Sequence, residues 1–313
     1  MPPGLRALGI LSQHRRQFNY LQGNGGAAGR GCTVPGMKAA PPTVRRPRAS
    51  PVGRLLKQWR EQRRLSQLSL AVDAEISTRH LSFIETGRSQ PSREMVLLLA
   101  RALDVPPRGR NDLLAAAGYA PVYRETALDA PQMTDVKRAL DFMLRQQEPF
   151  PALVVDGHWN LLMSNQGAQR LMARFVSPED VAAVPGRPNA MRLFYHPRGM
   201  RPYIVNWEAT AAALIQWLHR DLARGIGDDE TRRLLAELLA YPDVPQKWHH
   251  LDLDIAPVPY LAVEMRKGDF HVKFFSTLAS LGVPYDITLH ELRVECFFPA
   301  DAASETRLRR VAE

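Results

Sequence analysis

Residues Leu65–Ser92 read LSQLSLAVDAEISTRHLSFIETGRSQPS, and this stretch decides the N-terminal half. It spells a helix, a tight turn and a second helix. Ser66 is placed to cap the first, with Leu68, Leu70, Ala71 and Ala74 on or near one side. Ser77 is placed to cap the second, with Leu81 and Ile84 inward at i, i+3, and Gly87 is the stop. The outer positions of the second helix are Thr78, Arg79, His80, Ser82 and Phe83. An arginine fork flanked by hydroxyls at the N-terminal end of a helix suits the edges of bases in a major groove. Plainer roles stand beside that one: Ser66 and Ser77 as caps alone, His80 as a surface histidine, and Phe83 packed on an apolar surface such as Phe150.

Outward from this core the chain stays helical. Ser50-Pro51 opens a helix whose Val52, Leu55, Leu56 and Trp59 recur up to about Arg64. Pro91-Ser92 opens a fourth, carrying Met95, Val96, Leu98, Leu99 and Leu103 and closed by Val105-Pro106-Pro107. A fifth is predicted over Asn111–Ala117, before Gly118. No strand signal interrupts the five.

The pattern LSQ…LA…S…LS.IE.GR..PS resembles the helix-turn-helix of the Xre/Cro/phage-repressor family over about residues 51–120. The resemblance implies that the third helix reads double-stranded operator DNA with Ser77, Thr78, Arg79, His80, Ser82 and Phe83. It also implies that Gln67 contacts a phosphate, as do Arg88 and Arg93 just after the recognition helix. One departure is visible: the family's turn glycine is Glu75 here, and a non-glycine residue in a left-handed turn costs energy.

Charge supports a polyanion partner for this part only. Of the net +9, residues 1–50 carry +8 with no acidic residue, residues 51–125 carry +4 and the remainder −3; a solvated charged face gives the same count. Residues 1–49 read as a disordered basic tail, glycine-rich at Gly23–Gly31 and rich in proline and arginine at Pro41–Arg48. The glycines are not a phosphate loop, because no GK[ST] follows. An acid-free, arginine-bearing N-terminus also fits a transit peptide. A start at Met37 would leave a short basic arm, and residues 38–50 are a candidate minor-groove arm.

At roughly 100–200 residues per domain, 313 residues predict about two. The longest apolar run, Met95–Ala100, is far short of the ~18 residues of a membrane helix. Cys32 and Cys296 cannot build a disulfide framework. A cytoplasmic protein without membrane partners is expected.

The second half changes period. A helix is predicted over Met133–Gln147, with Val136, Leu140, Met143 and Leu144 apolar. In PALVVDGHWNLLMSN, Pro151–Asn165, two β-type runs flank Asp156-Gly157, a hairpin signal. Helices follow at about Asn165–Phe175, Trp207–Arg224 and Asp228–Ala240. Strands are predicted at Tyr260–Arg266, Phe270–Thr277 and Leu289–Phe298, with a turn at Lys267-Gly268-Asp269. Two strands, several helices and three strands close one antiparallel sheet with helices on one face, a PAS-like layout. Together with NAMRLFYHP (Asn189–Pro197) and NWEATAAALI (Asn206–Ile215), this half resembles the ligand-binding domain of MmyB-like transcription regulators over about residues 130–300.

The fold class read from the sequence is therefore α+β. A tail at 1–49 precedes an all-α five-helix helix-turn-helix domain at 50–122. A PAS-like ligand-binding domain at 123–300 is followed by a C-terminal helix or tail at 301–313. Such a sheet encloses an apolar cavity, whose candidate lining is Trp159, Leu161, Met163, Phe194, Trp207, Leu214, Phe274 and Phe297, with Asn165, Asn189 and Asn206 to orient a polar head group. Asn165 reads equally as a helix cap, and most of the apolar positions read as ordinary core, with a minority left to touch a ligand. The resemblance implies a small apolar, fatty-acid-like ligand and a homodimer. No G-x-S-x-G, H-E-x-x-H or Walker A motif is present. His249-His250 and the Asp252/Asp254 pair lack ligand spacing, and Cys296 sits among strand aromatics as an inert thiol. An enzyme, metal or cofactor is not expected. The alternatives are a flavin- or haem-bearing or catalytic C-terminal domain with an accessory helix-turn-helix, and a C-terminal domain with a filled core that serves only as a dimerisation or partner surface.

Overall fold

The computed structural model describes residues 50–223, 228–251, 262–282 and 285–312. The tail at 1–49, with Cys32, Met37 and all but the last residue of the basic arm, lies outside these residues, as do Asp252, Asp254 and the first two residues of the strand expected from Tyr260.

Five helices open the described chain: α1 (Pro51–Gln62), α2 (Gln67–Asp73), α3 (Thr78–Glu85), α4 (Arg93–Ala102) and α5 (Pro107–Ala116). Ser50, Ser66, Ser77 and Ser92 each accept, through the hydroxyl, the N–H three residues on, at 3.0–3.2 Å. Each cap contributes about 1 kcal/mol. α5 begins four residues before the predicted Asn111, because Pro107 fits a first helical position that needs no N–H donor. Leu56, Leu70, Leu81, Ile84, Leu99, Leu103, Leu113 and Leu114 are fully buried in one core shared by all five helices. The α2–α3 turn keeps its left-handed residue without glycine: Glu75 has φ +53°.

The remainder runs α6 (Thr134–Gln146), β1 (Ala152–Val155), β2 (Leu161–Ser164), α7 (Gln166–Phe175), α8 (Pro178–Ala183), α9 (Ala190–Tyr195), α10 (Trp207–Ala223) and α11 (Asp229–Leu239). Then come β3 (Ala262–Lys267), β4 (Phe270–Ser280), α12 (Ile287–Glu291), β5 (Arg293–Pro299) and α13 (Ala302–Ala312). The five strands form one sheet, ordered β2-β1-β5-β4-β3. Every neighbouring pair is antiparallel. β5 is the central strand, and it begins at Arg293 where the sequence pattern placed a strand from Leu289. The reason is Asp286, whose side chain caps α12 on the Leu289 N–H and so makes Ile287–Glu291 helical.

Strand alternation divides the packing. Val155, with Leu153 beside it, joins Trp159, Met191, Tyr195, Ile215, Leu218 and Leu238 beneath α9, α10 and α11. Ala152 and Val154 turn the other way, against Leu140 and Leu144 of α6 and Val294 of β5. Helices lie on one face as expected, and α6 adds cover on the opposite face. α13 lays Leu308 into a third cluster with Phe175, Met265, Val272 and Phe274.

Candidate functional site

On α3, Leu81 and Ile84 anchor the helix and Glu85 is 3% exposed. Glu85 accepts from Arg60 at two points, 2.7 Å from Nε and 3.0 Å from Nη2. The third nitrogen of Arg60 donates to the Leu65 carbonyl. The same carboxylate accepts from Gln67 Nε2 at 2.7 Å. One buried network therefore fixes α1, the start of α2 and α3 together. It uses one of the two amide protons of Gln67, leaving the other for the expected phosphate contact.

The opposite side of α3 faces outward. Arg79 is exposed, and Thr78, His80, Ser82 and Phe83 are half-buried. Ser77 spends its acceptor on the cap and retains its hydroxyl proton. Phe83 does not pack on Phe150, which belongs to the sheet-side cluster. Instead the guanidinium groups of Arg79 and Arg88 lie over its ring, at 5.3 and 5.8 Å. Such stacking contributes about 0.5–1 kcal/mol at an exposed site and leaves the in-plane N–H donors free. Phe83 thus holds two arginines on one surface with the hydroxyls of the helix start.

The second site is a cavity of about 810 Å³ between the sheet and helices α7, α9 and α10. Trp159, Leu161, Asn189, Phe194, Leu214, Phe274 and Phe297 line it as expected. Met163, Asn165, Asn206 and Trp207 do not border it, and each departure has a physical cause. The β1–β2 pairing shifts between Val154 and Val155, so Leu161 pairs with Val155 while Met163 pairs with Val154. That bulge turns Met163 onto the α6 side. Asn165 Oδ1 accepts from Ala168 and Ala152, and its amide donates to Leu144 and Phe150. Asn206 donates to Ala262 and accepts from Glu264, tying the start of α10 to β3. Trp207 stacks on Phe194 at 5.6 Å with Arg201 over its ring. Asn189 borders the cavity, yet its polar atoms are engaged with Arg192, His158 and Asn160.

Sequence reasoning missed Trp217, Arg220, Ser276 and Glu295, which also line the cavity. The signal for two of them was present: Leu214 and Trp217 are three apart on one helix face, and Glu295 is two from Phe297 on one strand face. Arg187, Gly186 and Val181 are exposed members of the same lining. Burial pushes the Glu295 carboxyl up to about 7, although the Ser276 hydroxyl beside it favours the charged form.

A third cluster joins the two sites and was not legible in the sequence. Arg108, on α5, donates from Nε and Nη2 to both oxygens of Glu291 at 2.8 and 2.9 Å. It also donates to both oxygens of Glu125 at 3.2 and 2.6 Å. Asp228, the cap of α11, lies 4.0 Å from Arg108 and within 3.0 Å of His158 Nε2. The Asp228 hydrogen bond raises the pKa of His158. Burial opposes the charge on Asp228, but His158 and the Thr231 N–H outweigh it and hold the carboxyl well below the usual range. His158 is followed by Trp159, a bulky residue at φ +67° in the cavity wall. Its costly backbone is held by Trp159 N–H to Asp156 and Ala190 N–H to Trp159. Gly157 completes the contact, because a Cβ there would meet Glu291 at 3.1 Å.

Among the described residues no group of three or more His, Cys, Asp or Glu is placed to hold a metal, and no helix is long and apolar enough to cross a membrane. Cys296 is half-buried on the α6 side, and burial raises its pKa.

Residues 51–113 match a helix-turn-helix domain. Residues 136–311, more than half of the chain, match the MmyB-like transcription regulator ligand binding domain. The chain belongs to that family, and it is a DNA-binding transcription regulator with a ligand-binding domain. No curated protein matches it.

Proposed function

We propose that this MmyB-like regulator binds a two-fold operator as a homodimer through α3 and that a small amphiphile, apolar and fatty-acid-like over most of its length, adjusts its affinity for DNA. Thr78, Arg79, Ser82 and Phe83 meet base edges in the major groove. Gln67, Ser77, Arg88 and Arg93 hold the phosphates, and His80 sits at the edge of the contact. Half-sites then lie about one helical turn apart. The basic residues before α1 enter the adjoining minor groove, so their removal flattens the salt dependence of binding.

The observation that carries the ligand-responsive part is the continuity from cavity to DNA-binding helices. Trp159 borders the cavity; His158, its neighbour, pairs with Asp228; Asp228 lies beside Arg108 of α5. A ligand shifts DNA affinity only by its differential affinity for two arrangements. The β1–β2 turn with the Arg108 cluster is the element that supplies those arrangements.

Native mass spectrometry of the full chain purified from its own cells tests this reading. The expected spectrum is a dimer with a retained small molecule on each subunit. A monomer without added mass contradicts both the dimer and the resident ligand.

A further inference from the structure

The cavity is not uniformly apolar, and its polarity is sorted along the sheet. Phe297 pairs with Ser276, and Glu295 with Leu278, one step nearer the β5 start. Phe274, Phe297, Met265, Leu171 and Phe194 make one end almost pure hydrocarbon. Nearer the β5 start stands Glu295, with the Ser276 hydroxyl one residue pair before it, level with Phe297; Arg220 of α10 also lines the cavity. Among the described residues no cationic side chain comes within ion-pair distance of Glu295, which has the Ser276 hydroxyl beside it.

A carboxyl enclosed without a counter-charge avoids its desolvation penalty by keeping its proton. A neutral carboxyl is a hydrogen-bond donor, and a guanidinium has donors only. Arg220 gives Nε to the Gln216 carbonyl. Two residues from Glu295 on the same strand face, Arg293 lies against the rings of Trp159 and Trp217, and its buried Nη1 has no hydrogen-bond partner. Arg293 itself does not border the cavity; of the groups that do, a protonated Glu295 and Arg220 present donors.

On the reading that the cavity holds a ligand, we propose that Glu295 is its head-group residue: the protonated carboxyl donates a hydrogen bond to an uncharged acceptor, an ester, lactone or amide carbonyl, at the polar end of an otherwise hydrocarbon molecule. Asn165, Asn189 and Asn206, the residues the sequence offered for this task, are committed to backbone groups and, for Asn189, also to the Asn160 side chain. The charged side chains that share the cavity lining with Glu295 are Arg220 from α10 and Arg187 from the segment before α9, and Arg293 is two residues away on its own strand. Arg293 has Asp221 at 3.7 Å. None of these is a base that would take the Glu295 proton.

The sign of the pH dependence follows. The donor exists while Glu295 is protonated, so binding of an acceptor head group weakens as pH rises through about 7. Glutamine keeps a donor at every pH. The experiment is a calorimetric titration of the full chain and its Glu295→Gln variant with methyl decanoate, decylamine and decanol, at pH 6 and pH 8.5. The expected result is about tenfold weaker methyl decanoate binding to the wild type at pH 8.5 than at pH 6, as for the loss of one hydrogen bond to a buried group. The variant should bind it equally at both. Decylamine that binds the wild type more tightly than methyl decanoate at pH 8.5, and loses that advantage in the variant, overturns the proposal in favour of a cationic head group. Equal pH profiles for wild type and variant also overturn it, while decanol binding in that case leaves the ligand cavity standing. If none of the three probes binds either protein, the ligand-cavity reading itself falls.

Discussion

The helix-turn-helix region and the sheet domain bury their polar residues to opposite ends. In the first, buried charge is spent on rigidity: Arg60, Glu85 and Gln67 close a network behind α3, and the outward side of α3 stands clear of it. In the second, a carboxyl and an arginine border an enclosed space that no protein group fills. A region that must hold one shape against DNA pairs its buried charges internally. A region that must take in a second molecule leaves polar capacity open to it.

Breaking the paired region gives the largest effect. Arg60→Ala leaves Glu85 buried without its partner, and such a loss costs about 3–5 kcal/mol. Denaturant unfolding followed at both ends of the chain should show the five helices melting early; an unchanged midpoint would mean that the network contributes nothing. Arg79→Ala removes the proposed base-reading arginine without touching that network. It should cost about 1–3 kcal/mol of DNA affinity and relax base preference at one position, measured against a randomised set of duplexes with folding unchanged. Glu75→Gly relieves the left-handed turn and should raise stability by about 1 kcal/mol, visible as a higher unfolding midpoint.

The smallest effect is at the joint between the regions. The folded pKa of His158 is raised by Asp228, so its contribution is complete below the unfolded value of about 6.5 and is lost as pH rises through the raised folded value. Asp228 has the opposite dependence: its pKa is depressed, and its contribution is lost as pH falls through the folded value. Because the pair is partly exposed, about 1 kcal/mol or less is at stake. The stability gap between wild type and His158→Gln should be widest near pH 6 and close toward pH 9. A gap constant across that range would show that His158 is uncharged throughout.

How much of this was legible follows the range of the interactions. Ser66, Ser77, Leu81 and Ile84 report on neighbours three and four residues away, so the helix-turn-helix and the outward side of α3 could be found from spacing alone. The cavity depends on pairings between strands more than a hundred residues apart. Strand periodicity placed Leu161, Phe274 and Phe297 on its wall, but the one-residue bulge that turns Met163 away is invisible without the partner strand. Asn165 was legible as a helix cap, but Asn189 and Asn206 looked like free polar groups because most of their partners are backbone atoms brought in by the fold. α12 was hidden for the same local reason that made the serine caps visible: one aspartate at 286 outweighs the strand-like composition after it. Arg108 offered no signal, since the Glu291 it binds lies at the other end of the sequence.

The central claim is that the hollow region speaks to the DNA-reading one. Ala213 lines the cavity on α10, far in sequence from α3. Filling the space by Ala213→Phe imitates occupancy without any ligand. The measurement is the affinity of wild type and variant for one selected DNA duplex, by fluorescence anisotropy at fixed salt. Coupling of about 1–3 kcal/mol, a change of roughly 5- to 150-fold, is predicted. Equal affinities from two folded proteins would contradict the account.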